Sequence, residues 1–241
     1  MSFDARFSGR ATAYAASRPD YGTDALDFIL AKLTFPVVAA DLGAGTGISS
    51  RLLAARGAHV IAVEPNAAMR GKAAPHERVR FVDATGERTG LPDESVDLVT
   101  MFQAFHWFEP ESAVAEIRRI LRPKGRACVV LNERDERDAP ARDFGDLVRR
   151  YAVDDTEERR AASLQTFRRL GGAIEEREFP NAHVLDRAGL HTRIKSSSYL
   201  PHAGDASQAM HREADALFDR HAAGGSIRLA LRTIVVRADL H

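Results

Sequence analysis

Residues 37–47, VVAADLGAGTG, constrain the fold of this chain more than any other stretch. Val37 to Ala40 form a short apolar run, the pattern of a parallel strand covered on both faces. Gly43, Gly45 and Gly47 follow, and glycine lets a backbone turn tightly and approach a ligand closely. Ile48, Leu52 and Leu53 then recur at helical spacing. Strand, glycine turn and helix open a nucleotide-binding βαβ unit.

Two nucleotide classes use such a unit, and the residues separate them. The dinucleotide fingerprint G-x-G-x-x-G wants its third glycine where Ile48 stands. Asp41, just before the turn, would repel a pyrophosphate. It suits a ligand with a positive amino group, such as S-adenosylmethionine (SAM). A second strand is expected over His59–Val63, and Glu64 ends it. A carboxylate there can accept both hydroxyls of an adenosine ribose. Glu64 could instead cap the helix that starts at Pro65; with Asp41 and the glycines in place, the ribose reading is preferred.

DLGAGTG, then VEP, then FVDATGERTGLPDESVDLVT, then LRPKG together resemble the class I SAM-dependent methyltransferases, in particular their small-molecule branch. The resemblance runs from about Phe35 to Asp135. AFHWF and YAASRPDY are similar to segments of trans-aconitate methyltransferase-like proteins. The family fold is α/β: a Rossmann-like, seven-stranded, mostly parallel sheet with an antiparallel last strand, sandwiched by helices. The resemblance implies one domain over 1–241, a nucleotide-binding core at about 35–135, and cap segments at 1–34 and 186–224.

The resemblance also implies a set of cofactor contacts. Asp41, Gly43, Ala44, Gly45 and Thr46 come from the first strand and its turn, and Glu64, Pro65 and Met69 from the second strand and following helix. Asp83, with Ala84 and Thr85, is placed at the adenine. Gln103 and Ala104 lie at the tip of the fourth strand, near the methyl group. Tyr14 and Arg18 are candidates to fold over the pocket from the N-terminal side. The alternative readings are Tyr14 as helix packing, Arg18 as a surface charge, Met69 as core and Asp83 as a turn residue.

Further elements are expected at Arg80–Asp83 and Val96–Phe102 (strands three and four), Glu111–Leu121 (an amphipathic helix ending at Pro123-Lys124-Gly125) and Ala127–Leu131 (strand five). The charge run ERDERDAPARD reads as a solvated surface leading into a helix over Asp143–Tyr151. Strands six and seven are placed around Phe179–Asn181 and at Ile227–Val236. Leu185–Ala223 is too long for a simple crossover and reads as a cap on the substrate side.

His106, in the AFHWF tip, is the one side chain there that titrates near neutral pH, and so the candidate catalytic base. It could equally orient a substrate oxygen or hold a lid. Trp107 reads as a pocket wall. The tip lacks the N/D-P-P-Y/F turn of enzymes that methylate nucleobase amines.

The 241 residues carry 34 basic and 34 acidic side chains. No basic excess points to nucleic acid. No apolar run approaches membrane-spanning length and the N-terminus lacks a signal-peptide stretch. The lone cysteine, Cys128, allows no disulfide framework, which suits a cytoplasmic location. The nine histidines are scattered, and no metal site is expected.

The expected activity is methyl transfer from SAM to a small-molecule acceptor, with a carboxylate or a hydroxyl among the candidates. The alternatives are a SAM-binding regulator without turnover and an NAD-dependent dehydrogenase. Oligomeric state is left open.

Overall fold

The computed structural model describes residues 19–153, 156–169, 173–197 and 199–239. Tyr14 and Arg18 lie outside the described residues.

Helix α1 (Thr23–Leu30) leads to β1 (Val38–Leu42), α2 (Ile48–Ala54), β2 (His59–Val63), α3 (Ala67–Arg70) and β3 (Val79–Val82). Then come β4 (Val96–Phe102), a 3₁₀ turn (Phe105–Trp107), α4 (Pro110–Ile120) and β5 (Leu121–Arg134). Helices α5 (Ala139–Tyr151) and α6 (Thr156–Arg168), strand β6 (Ala173–Leu185), helices α7 (Arg187–Lys195) and α8 (Gly204–His221), and β7 (Ile227–Asp239) complete the chain.

The seven strands lie in the order β3-β2-β1-β4-β5-β7-β6. The pairs from β3 to β5 are parallel, and β7 runs antiparallel to both β5 and β6. The expected Rossmann-like sheet with an antiparallel last strand is therefore present. Strand order reverses between β1 and β4, so their carboxyl ends open the crevice where ligands of such sheets bind.

The apolar strands are buried on both faces. On one face Ile117 and Ile120 of α4 and Phe167 of α6 pack against Val99, Met101 and Val129. On the other, Leu26 and Ile29 of α1 and Leu53 of α2 meet Leu98, Val130 and Val235. A third cluster joins α5, α7 and α8 through Phe144, Leu190, Met210 and Leu217. It covers the β6–β7 end, and its helices α7 and α8 occupy the stretch between Leu185 and Ala223.

Two buried arginines dock α1 on the sheet. Arg126 Nη1 donates to the carbonyls of Ile29 and Ala31, both at 2.7 Å, and its Nε meets Asp239 at 2.5 Å. Arg237 donates to the Phe28 carbonyl and to Glu175. The last carbonyls of a helix lack intrahelical donors, so the guanidinium groups complete them.

Several bounds differ from the sequence reading. Strand β3 begins and ends one residue earlier than expected. Helix α4 starts at Pro110, because Glu109 caps it by accepting from the Ser112 amide at 2.7 Å. Strand β5 (Leu121–Arg134) extends beyond the expected Ala127–Leu131 at both ends. The Pro123-Lys124-Gly125 stretch lies inside it as an irregularity, since Val96 faces Leu121 while Leu98 faces Arg126. Its polar end, Asn132 to Arg134, pairs with Thr233 to Leu231 of β7 and carries no apolar signature. Helix α5 begins at Ala139, capped by Asp138. Part of the charge run thus belongs to a strand end and a helix start. Helix α6 was not anticipated.

The loop after β3 is held to α4 by Glu116, which is 8% exposed. Glu116 accepts from the Thr89 amide (2.7 Å), the Thr89 hydroxyl (2.5 Å) and the Arg119 guanidinium (2.7 and 2.8 Å). Burial pushes its carboxyl up, but the bonds from Arg119 and Thr89 outweigh burial and hold it at about 2. The folded value lies below the ordinary 4.5, so the unfolded chain binds the proton more readily. The stabilisation is complete above the unfolded value and is lost as pH falls from there toward the folded one. Glu116→Gln is expected to destabilise by about 1–3 kcal/mol at pH 7. Urea unfolding across pH should show the gap from wild type closing below the unfolded value.

Candidate functional site

Asp41 sits at the centre of the crevice floor and is 0% exposed. Its Oδ2 accepts from the Ser49 and Ser50 hydroxyls at 2.7 and 2.6 Å, and its Oδ1 from Thr100 at 3.0 Å. One carboxylate therefore ties β1 to the first turn of α2 and to β4. Burial raises its pKa, and the three hydroxyl bonds partly offset that.

The glycine turn is built on this anchor. Gly43, Gly45 and Gly47 all adopt positive φ (69°, 58° and 72°). The Gly43 and Ala44 amides donate to the Val63 carbonyl, pinning the turn to the end of β2. A Cβ on Gly43 would stand 2.6 Å from Ala104 Cβ, so the turn and the tip of β4 meet without side-chain space between them. Phe108 presses on Gly43 and on Gly86, where an added Cβ would lie 2.8 Å from its ring.

Glu64 is 2% exposed. Its Oε2 accepts from the Gly45 amide and its Oε1 from the Asn66 amide, both at 2.9 Å. The acid thus ends β2 and braces the turn. Beyond it, Pro65 leads into α3, whose Met69 is 4% exposed. Asp83 is exposed and paired with Arg70 at 2.6 Å; Ala84 is half-buried and Thr85 exposed.

Two clefts meet at the strand tips. The first is lined by Gly43, Ala44, Thr46, Ile48 and Ser49 from the turn and α2, and by Phe102 and Gln103 from β4. Pro19 and Tyr21 close it from the N-terminal side. Tyr21 is placed by an edge contact to Phe102, with ring centroids 4.6 Å apart. The second cleft, of about 860 Å³, runs between the end of β5, β7 and helices α6 and α7. Gln103, Asn132, Arg193 and Leu231 line both clefts.

A polar ladder underlies the junction. Gln103, with φ of 55°, donates from Nε2 to the Asn132 carbonyl at 3.0 Å. The Asn132 side-chain oxygen accepts from Thr233 (2.5 Å) and Asn181 (3.2 Å), and Asn181 also donates to the Asp20 carbonyl. The ladder crosses β4, β5, β7 and β6 and reaches the segment that closes the first cleft.

Among the described residues at the first cleft, Thr46 Oγ1 and Gln103 Oε1 are buried without a hydrogen-bond partner. Buried polar atoms are normally paired. Here they face a cleft lined by close-approach backbone, an arrangement fitted to a polar ligand.

Of the residues singled out in the sequence, Gly43, Ala44, Thr46 and Gln103 line the first cleft. Asp41, Glu64 and Ala104 stand behind it, in contact with the turn. Pro65, Met69, Asp83, Ala84 and Thr85 do not line it. His106 lines neither cleft. It is 7% exposed and its ring tilts against Trp107, centroids 5.0 Å apart. The AFHWF stretch chiefly packs: Phe105 is fully buried and makes edge contacts to Phe108 and Phe167. Sequence reasoning missed Tyr21, Asn132 and Arg193. Asn132 carried a usable signal, as a polar residue ending an apolar strand beside the switch point; Arg193 carried none.

Among the described residues, no group of three or more His, Cys, Asp or Glu could hold a metal, and no helix is long and apolar enough to cross a membrane. The histidines are not all scattered in space: His191 Nδ1 lies 2.6 Å from His211 Nδ1, and His191 Nε2 lies 2.9 Å from Asp215. Cys128 is buried, which pushes its thiol up to about 12.

Residues 40–129 match the family profile described as "Methyltransferase domain". An uncharacterised methyltransferase of Mycobacterium tuberculosis (strain H37Rv) is 40% identical over 146 residues, 60% of this chain and 59% of that protein. The chain thus spans about three-fifths of the length of the first curated relatives it matches. A methyltransferase-like protein of Schizosaccharomyces pombe is 32% identical over 194 residues, 78% of this chain and 75% of that protein. The fold is shared with a solved structure from Anaeromyxobacter dehalogenans, of a protein provisionally classed as a type II methyltransferase. Its TM-score is 0.71 at 24% identity, covering 93% of this chain and 99% of that one. With the strand order, the glycine turn and the acids behind it already in place, these likenesses establish that the chain belongs to the class I SAM-dependent methyltransferase family.

Proposed function

We propose that the protein transfers a methyl group from SAM to a small-molecule acceptor, with a carboxylate or hydroxyl oxygen as nucleophile. The observation that carries this reading is the first cleft itself, where Thr46 Oγ1 and Gln103 Oε1 stand buried and unpartnered around the glycine turn.

The chain's own charges favour SAM over a dinucleotide. A pyrophosphate binds at a helix N-terminus through amides that point at it. Here Asp41 is bonded to Ser49 and Ser50 in the first turn of α2, so negative charge already occupies that end. Glu64 takes the Gly45 amide, a turn donor that a phosphate would need. Both features oppose the NAD alternative, while a cationic ligand is welcome beside them.

In this reading Gly43, Ala44, Thr46 and Gln103 hold the amino-acid end of SAM, and Glu64, fixed by Gly45 and Asn66, takes the ribose diol. Met69 and Asp83 lie toward the adenine. Asp41 acts through the turn that it anchors. When bound, SAM supplies a sulfonium methyl that passes to the nucleophile in one displacement, the C–S electron pair leaving on sulfur. The protein then contributes alignment and exclusion of water. Gln103, at the junction of the clefts, orients the two reactants toward each other. A carboxylate nucleophile is already ionised at neutral pH and needs no base.

Three outcomes are expected. Thermal-shift assays should show stabilisation by SAM and by its demethylated product, and none by NAD; the reverse pattern would overturn the assignment. Glu64→Ala should weaken SAM at least about tenfold by calorimetry, through the lost charged acceptor and the loosened Gly45. His106→Ala should change turnover less than about tenfold and leave its pH profile unmoved, because His106 lines neither cleft. A fall within the general-base range of about 10²–10⁴ would restore the base role.

A further inference from the structure

Helices α7 and α8 pack through Leu190, Ile194, Met210 and Ala214. A chain of polar groups crosses between the same two helices. His191 Nε2 of α7 lies 2.9 Å from Asp215 Oδ1 of α8, and His191 Nδ1 lies 2.6 Å from His211 Nδ1, again on α8. Arg187, the first residue of α7, donates to Asp215 at 3.0 Å and also bonds Asp219. Glu213, the neighbouring acid on α8, is taken by Tyr151 and Arg150 of α5. One turn past His191, α7 carries Arg193, which lines both clefts. The seat of α7 on α8 therefore sets a wall common to both.

The carboxylate fixes where the protons are. The bond from His191 and then the Arg187 guanidinium hold Asp215 below its ordinary value, so it is ionised throughout the range in which histidine titrates. An ionised carboxylate only accepts, so His191 Nε2 carries a hydrogen. The contact of 2.6 Å between the two Nδ1 atoms is then a hydrogen bond with one proton between them. A second proton turns the acceptor nitrogen into a donor, and two N–H groups cannot stay face to face at that distance. Among the described residues, the surroundings resist that second proton. Burial is the largest cause that lowers His211, and His191, Lys195 and His202 lower it further, while Asp215 opposes them.

We propose that His191 and His211 form an acid-sensitive latch: sharing one proton they hold α7 on α8, and with two protons they release it and loosen the wall that α7 gives to both clefts. The proton taken up comes from solvent, and the bond lost is the one between the two Nδ1 atoms. The pairs that Arg187 makes with Asp215 and Asp219 do not involve that proton, so the start of α7 stays seated and the movement falls on the turns that follow. The folded value of His211 lies below the ordinary 6.5, so the latch is fully closed above 6.5 and is lost as pH falls from there through the folded value. The latch belongs to the fold and does not depend on the methyl-transfer reading.

Imidazole nitrogen NMR and amide hydrogen exchange between about pH 5 and pH 8 test the latch on the full chain. In wild type, His211 should titrate below 6.5. The amides of α7 from His191 onward, corrected for the intrinsic pH dependence of exchange, should exchange about two- to tenfold faster at the acid end, the worth of one hydrogen bond. In His211→Asn the side-chain amide stands near the former Nδ1, can either accept or donate, and does not titrate. That variant should keep α7 protected across the range. His211→Leu, which cannot bond His191, should show the faster exchange even at the alkaline end. Circular dichroism establishes that each variant is folded, and the wild-type and asparagine arms decide the matter if the leucine variant is not. A His211 midpoint at or above 6.5, the same acid response of α7 in His211→Asn, or an acid response shared equally by α5, α7 and α8 overturns the proposal.

Discussion

The structure depends most on a carboxylate that the solvent never reaches. Burying an ionisable group costs several kcal/mol unless it is hydrogen-bonded. Asp41 meets that cost with three hydroxyls drawn from two elements, α2 and β4. The consequence is positional. The end of β1, the start of α2 and the middle of β4 are held at one point, beside the place where strand order reverses. The glycine turn can then take three positive-φ residues in five positions without drifting, because both of its ends are fixed.

Glu64 repeats the device one strand over. It spends one oxygen on the turn and the other on the chain entering α3. The two acids together form a rigid, negatively biased floor under the first cleft. Close contact between Gly43 and Ala104 closes the gap to β4, so the floor and the strand tip move as one. Above them lies a different environment. The cap side is rich in arginine, and its walls come from α6, α7 and the polar end of β5.

How far this was legible in the sequence differs between the two halves. The floor is local chemistry. Asp41, the glycines and Glu64 lie within 24 positions, on strands whose apolar runs announce themselves, and β2 and β4 have the bounds that their periodicity indicates. What spacing could not tell was the direction of each carboxylate. An acid before a glycine turn can face the ligand or face the helix, and Ser49 and Ser50 in the first turn of α2 decide for the helix. The hydroxyls were visible as residues, but their role appears only when the turn brings them back onto β1.

The cap half was much less legible, because its signals are non-local and polar. Strand β6 has an exposed outer edge and reads EEREFPN, with no clean alternation to betray it. The ERDERD run, as a dense run of charges, reads as solvated surface. In the fold its residues are the end of β5 and the rim of a cleft, where Glu136 meets Arg149 of α5 and Glu133 approaches Arg160 of α6. No stretch of sequence contains that constellation: Arg134, Arg160, Arg193 and Arg232 are 26 to 39 residues apart, and each alone reads as an ordinary surface charge. Their convergence follows from the antiparallel insertion of β7 between β5 and β6, which brings the cap back over the carboxyl end of β5. The same insertion completes the ladder from Gln103 through Asn132 to Asn181 and Asp20. Topology, rather than any motif, thus joins the floor to its cap. For that reason the chain declares its cofactor class in a few short motifs, while the second cleft emerges only from the assembled sheet.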